Sequence, residues 1–123
     1  MSPTFETGDI LLVKKWAIPQ NEDVVTAYIK ELDIVVVKRV IGSEGDHIRI
    51  SESAIYRNEK LLKRYIGYER QEHNTIELTV PKGYVFLLGD NWKISIDSRD
   101  FGCVPIDAIK GVVVKRIEGG SWS

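Results

Sequence analysis

Valine and isoleucine in this chain fall into runs of a few residues, each cut short by a turn signal. That pattern restricts the fold more than any other feature. β-branched residues suit a pleated, half-buried surface, and Gly-Asp, Glu-Gly-Asp, Lys-Gly and Gly-Asp-Asn end each run before a helix could form. The pattern predicts strands at Asp9–Lys15, Val24–Ile29, Asp33–Ile41, His47–Ser51, Ala54–Arg57, Thr75–Val80, Tyr84–Leu88 and Gly111–Ile117. The second and third are joined by a tight connection around Lys30–Leu32, and "PIDAI" at Pro105–Ile109 can form one short helical turn. So many short strands at this spacing predict a mainly β fold of small, bent antiparallel sheets forming a partly closed barrel. At 123 residues, with no repeat, low-complexity block or linker, the chain is expected to be one domain over residues 1–123.

Composition removes several classes of function. With 17 basic against 18 acidic residues, nothing predicts nucleic acid as a partner. The one cysteine, Cys103, excludes an internal disulfide and reads as a small packing residue or a reactive thiol. The longest apolar runs, Ile34 to Val37 and Tyr84 to Leu88, have strand length and fall far short of the ~20 residues of a membrane span. No His, Cys, Asp or Glu residues show metal-ligand spacing, so neither a metal nor a cofactor is expected. His47 and His73 fit no triad and read as solvent-facing or locally hydrogen-bonded.

Three segments carry chemistry: "MSPT…GD" at Met1–Asp9, "VVVKRVIGSEGD" at Val35–Asp46 and "GDNWKISIDSRDFGCVP" at Gly89–Pro105. In the second, Val36, Lys38 and Val40 point to one side of a strand, and Val37, Arg39 and Ile41 to the other. One of the two cations therefore shares a face with apolar neighbours. Either both side chains snorkel to solvent, or one is buried. A buried lysine would lose its proton more easily and offer a neutral amine as a base, which arginine cannot do. In the third segment Ser95, Asp97 and Arg99 stand two apart, so in an extended stretch they would share a face. Asp97 and Arg99 could then form a charge-assisted pair.

Taken in order, these segments resemble the type I signal peptidases, the membrane-bound serine proteases that remove signal peptides. The family pattern runs Ser-Met-x-Pro-Thr…Gly-Asp, then Lys-Arg-Val-x-Gly-x-x-Gly-Asp, then Gly-Asp-Asn-x-x-x-Ser-x-Asp-Ser-Arg-x-x-Gly-x-Val-Pro. The chain offers "MSPT…GD", "KRVIGSEGD" and "GDNWKISIDSRDFGCVP", and the resemblance covers essentially its whole length.

The resemblance implies a serine–lysine dyad on a mostly antiparallel β fold. In it Lys38 matches the general base, and Ser95 matches the serine that orients that lysine. Asp97 and Arg99 match an ion pair that supports the loop. Met1, Val36 and Val37 fall where the family lines shallow pockets for small side chains at the −1 and −3 positions of the substrate. The implied partners are preprotein signal peptides and the membrane surface, the latter reached through an N-terminal anchor. The implied place is the extracytoplasmic side of a cell membrane, as a single-pass protein.

The family's nucleophile stands immediately before the methionine, which here is Met1. Ser2 would present its hydroxyl one residue out of step, on the opposite face. As written, the chain is therefore expected not to cleave peptides. The alternative expectation is an inactive homologue that serves as a binding or assembly scaffold. Trp92 reads either as a membrane-facing aromatic or as a loop-packing residue.

Overall fold

A computed structural model describes residues 11–15, 18–67, 75–91 and 96–116. Two antiparallel sheets make up the molecule. The larger has six strands in the order β1-β10-β2-β3-β8-β9, formed by β1 (Leu11–Lys14), β2 (Val24–Ile29), β3 (Ile34–Ser43), β8 (Tyr84–Leu88), β9 (Val104–Pro105) and β10 (Ile109–Arg116). The smaller has four in the order β6-β5-β4-β7, formed by β4 (His47–Ile50), β5 (Ile55–Arg57), β6 (Lys60–Leu61) and β7 (Ile76–Thr79). The expected mainly β fold of antiparallel sheets is present, and among the described residues neither sheet closes fully into a barrel. Register shifts in the β1–β10, β10–β2 and β3–β8 pairings bend the larger sheet.

All eight expected strands are present; Val24–Ile29 and Tyr84–Leu88 keep their expected bounds, the others differ by a residue or two, and Asp9, Ile10 and Ile117 lie outside the described residues. The connection between β2 and β3 is a tight turn in which Leu32 N–H donates to Ile29 O and Asp33 N–H to Lys30 O. Asp33 takes a positive φ there, and its carboxylate accepts a 2.6 Å hydrogen bond from the Tyr28 hydroxyl. The "PIDAI" stretch forms a short helical turn at Ile106–Ala108.

β3 and β8 form the centre of the molecule because they face two cores at once. Val36, Val40, Val85 and Leu87 pack with Val25, Ala27 and Ile29 on one side. Ile41, Phe86 and Leu88 pack with Ile48, Ile50, Ile55 and Tyr65 on the other. This two-sided burial explains why "YVFLL" is a continuous apolar run rather than an alternating one. Alternation sends Val40 and Ile41 to different cores, and the shift between Val40 and Gly42, which gives β3 an extra residue against β8, turns Gly42 to the same side as Ile41. Gly42 sits where the small sheet presses closest, and a Cβ there would lie 2.8 Å from Ile48 Cδ1.

Candidate active site

Strand alternation places Lys38 and Arg39 on opposite faces of β3, and the tertiary structure decides which one is buried. Lys38 lies opposite Val25 of β2, on the face of Val36 and Val40, and is only 4% exposed. Burial pushes its amino group below the ordinary lysine pKa, because the charged form loses its water. The carboxylates of Asp97 and Asp100 work against that shift, and the Arg99 guanidinium works with it.

Arg39 points the other way and remains a fixed cation. Its Nε and Nη2 donate to the two Asp90 carboxylate oxygens at 3.0 and 2.8 Å, and its Nη1 donates to the Glu22 carbonyl at 2.7 Å. This bidentate pair ties β3 to the Gly89–Asp90–Asn91 corner that follows β8.

The groups facing Lys38 come from the segment after that corner. Asp97 is fully buried and caps a single helical turn, α1 (Ser98–Phe101). Its Oδ1 accepts from the backbone N–H and the Nε of Arg99 at 3.1 and 2.8 Å, and its Oδ2 accepts from Arg99 Nη2 at 2.8 Å. Gly89 N–H also donates to Asp97 Oδ2, at 3.0 Å. Asp100 returns the favour to the cap by accepting from Asp97 N–H at 3.1 Å. The Ser98 hydroxyl accepts from Leu87 N–H at 2.8 Å, which pins α1 to β8. A buried carboxylate with this many donors has its oxygens satisfied and is fixed in place.

Ser95 lies outside the described residues, and the backbone is extended at Asp97 and turns helical at Ser98, so Asp97 and Arg99 do not share an extended stretch. Asp97 and Arg99 still meet, because the cap residue and the second residue of the turn reach each other directly. Sequence reasoning missed Ser98, Asp100 and the Arg39–Asp90 pair. Asp97 followed three residues later by Asp100 is a capping-box spacing, and it is the signal that would have exposed the helix.

Among the remaining expected site residues, Val36 is buried in the core and Val37 is half-buried on the opposite face. Ser95 and Met1 lie outside the described residues, as do Trp92 and His73. Cys103 is half-buried against the core of Ile41, Phe86 and Ile48, and burial pushes its thiol pKa up, which disfavours the thiolate. His47 is locally hydrogen-bonded, with Nε2 2.7 Å from Glu77 Oε2. Among the described residues, no group of three or more His, Cys, Asp or Glu side chains could hold a metal ion.

Comparison with known proteins shows the family. The family model for signal peptidase, peptidase S26, matches residues 1–117. Signal peptidase I of Bacillus caldolyticus is 36% identical over 92% of this chain and 71% of its own length. Thylakoidal processing peptidase 1 of Arabidopsis thaliana is 30% identical over 94% of this chain, which spans only 38% of that relative. The crystal structure of a signal peptidase I from Enterococcus faecalis superposes with a TM-score of 0.64 at 30% identity, covering 78% of this chain and 97% of that one. The chain belongs to the signal peptidase family, peptidase S26.

Proposed function

We propose that this chain is the catalytic domain of a serine endopeptidase that removes signal peptides from preproteins by a Ser/Lys dyad. Lys38 is its general base, and the nucleophile is a serine immediately before Met1. The observation that carries the reading is the amino group of Lys38, buried among valines and disposed to lose its proton. As a neutral amine, Lys38 Nζ accepts the serine proton while the serine oxygen attacks the scissile carbonyl carbon. The ammonium then gives that proton to the departing amine. A water deprotonated by the same amine releases the acyl group. The Asp97 and Asp100 carboxylates favour the protonated amine between these steps, and the Arg99 guanidinium opposes them. Ser95 orients the amine.

The open edge of β3 supports a place for the substrate. β2 pairs with β3 from Ile34 to Arg39, whereas β8 pairs with it only from Arg39 onward. Among the described residues, no strand occupies the second edge over Ile34 to Val37. An extended peptide added there would run directly up to Lys38, with backbone hydrogen bonds supplying much of the binding. Met1, Val36 and Val37 belong to the shallow pockets that select alanine-sized side chains at −1 and −3, where larger ones clash. The enzyme acts on the extracytoplasmic side of a cell membrane, held there by a single membrane-spanning anchor.

The test uses the full-length protein, or this chain with a serine placed immediately before Met1, and a preprotein cut after Ala-x-Ala. Lys38→Met should lower cleavage by roughly a thousandfold or more, the scale of a lost proton-transfer group, while far-UV circular dichroism stays that of the parent. Ser95→Ala should reduce the rate less severely, because it orients the base and does not carry the proton. Retained cleavage in Lys38→Met would overturn the dyad.

A further inference from the structure

Arg57 is the last residue of β5 in the smaller sheet, and its guanidinium reaches across to the larger one. Its Nη1 donates to the Ile41 carbonyl at 2.7 Å and to Glu22 Oε2 at 3.0 Å. Ile41 is the extra residue of β3. β2 pairs with that strand only as far as Arg39, and β8 pairs with Val40 and Gly42 but passes over Ile41. A bulged residue stands outside the ladder, and Ile41 is fully buried, so its carbonyl needs a donor from elsewhere. Arg57 supplies that donor from the other sheet.

Glu22 carries the same connection on to Arg39. It stands just before β2 with a φ of 78°, a left-handed conformation that a residue with a Cβ adopts only when its surroundings impose it. Here its own polar groups impose it. The Glu22 N–H donates to the Val40 carbonyl at 2.8 Å, and the Glu22 carbonyl accepts from Arg39 Nη1 at 2.7 Å. The carboxylate accepts from Arg57, and Arg64 Nε lies 3.7 Å from its other oxygen. Glycine would relieve the backbone here but would give up the carboxylate. Arg39, Val40 and Ile41, which follow Lys38 directly in β3, are thus each held by Glu22 or Arg57.

We propose that Arg57, together with Glu22, is a positioning residue for Lys38. By fixing the extra residue of β3 and the strand just before it, the pair keeps the Lys38 side chain on its buried face, aimed as the dyad requires. Without the Arg57 bonds β3 can turn about its extra residue, and that rotation is carried back along the strand to Lys38. The small sheet, which contributes no group to the dyad, thereby sets the dyad's alignment. This inference rests on Lys38 being the general base.

The experiment compares Arg57→Met, Arg57→Lys, Glu22→Gln and the double variant Arg57→Met with Glu22→Gln in the full-length protein. It measures kcat at the optimum pH, KM, the pH profile of cleavage and the melting temperature. Arg57→Met should lower kcat by roughly three- to tenfold, with KM within about twofold, the pattern of a misaligned base. The acidic limb of the kcat profile should move to higher pH. A loosened β3 lets water reach the amine and weakens the desolvation that lowers its pKa, while Asp97, Arg99 and Asp100 stay in place. Arg57→Lys keeps a cationic donor for the Ile41 carbonyl and should recover most of kcat and return the limb. Glu22→Gln should give a smaller change in the same direction, because its backbone bonds persist. In that background Arg57→Met should cost less than in the parent, since the two residues act through one junction.

Unchanged kcat and an unmoved limb in Arg57→Met, with only the melting temperature lowered, would reduce Arg57 to a tie between the sheets. Full multiplicative losses in the double variant, or no recovery in Arg57→Lys, would also overturn the proposal. Should Arg57→Met fail to fold, Glu22→Gln decides, and an unmoved limb there overturns it. Lys38→Met separates the two readings. If it stays active, the dyad and the positioning role fall together. If it is inactive while Arg57→Met keeps its kcat and limb, only the positioning role falls.

Discussion

Lys38 illustrates how one residue trades stability for chemistry. In the folded protein its amine sheds the proton at a lower pH than in the unfolded chain, where the value is 10.5. Between those two points the unfolded state binds more protons, so stability rises with pH across that window. Below the folded value the cost of burying the ammonium is fully present, and above 10.5 it is gone. Chemical denaturation of the parent and Lys38→Met at several pH values should therefore show a difference that narrows, in the parent's favour, as pH climbs toward 10.5. At neutral pH the methionine variant should melt no lower than the parent, since Asp97 keeps Arg99 as its partner. A variant that is markedly less stable at neutral pH would mean that the Asp97 and Asp100 field outweighs desolvation. Catalysis should follow the same titration, with the acidic limb of kcat/KM centred below 10.5.

Among the elements, β3 does the most. It carries the candidate base, meets both cores and, among the described residues, has no strand on one edge over Ile34 to Val37, while its extra residue turns Gly42 toward the small sheet. Gly42 is needed for close approach, since an added Cβ would meet Ile48 Cδ1 at 2.8 Å and Val80 Cγ2 at 3.2 Å. Alanine would mainly displace the flexible end of Ile48. Valine would force the small sheet away, and Gly42→Val should lower unfolding free energy by about 1–3 kcal/mol, the usual cost of overpacking a core. Urea denaturation checks this, and an unchanged midpoint would mean that the small sheet can shift freely. The strand itself was legible in "VVVKRVIG", because β-branched residues flanked by turn signals leave little choice. The extra residue was not legible, because a register shift depends on which strand pairs alongside. α1 was not legible for a related reason: Ser95, Asp97 and Arg99 have the spacing of a strand, yet the capping bonds of Asp97 and Asp100 favour a helical turn.

The whole molecule is two sheets joined through β3 and β8, and its resistance to local opening should follow that plan. Amides of the β3–β8 ladder, such as those of Ile41 and Leu87, lie between two cores and should exchange with deuterium slowest. Amides of β6 and β7, at the outer edges of the smaller sheet, should exchange faster by orders of magnitude. Hydrogen exchange followed by mass spectrometry would resolve this, and uniform protection across both sheets would contradict the plan.

The sequence by itself determined the strand content, the tight β2–β3 turn and the ordered motifs that mark the family, because these depend on local propensity and spacing. Alternation also required that Lys38 and Arg39 face opposite ways. Only the tertiary structure decided that Lys38 is the buried one. That outcome depends on what lies across each face: valines and the capped α1 turn on one side, and the Asp90 carboxylate with the Glu22 carbonyl on the other. A side chain's environment is set by residues far away in the chain, and the proton affinity on which the proposed chemistry rests is a property of that environment.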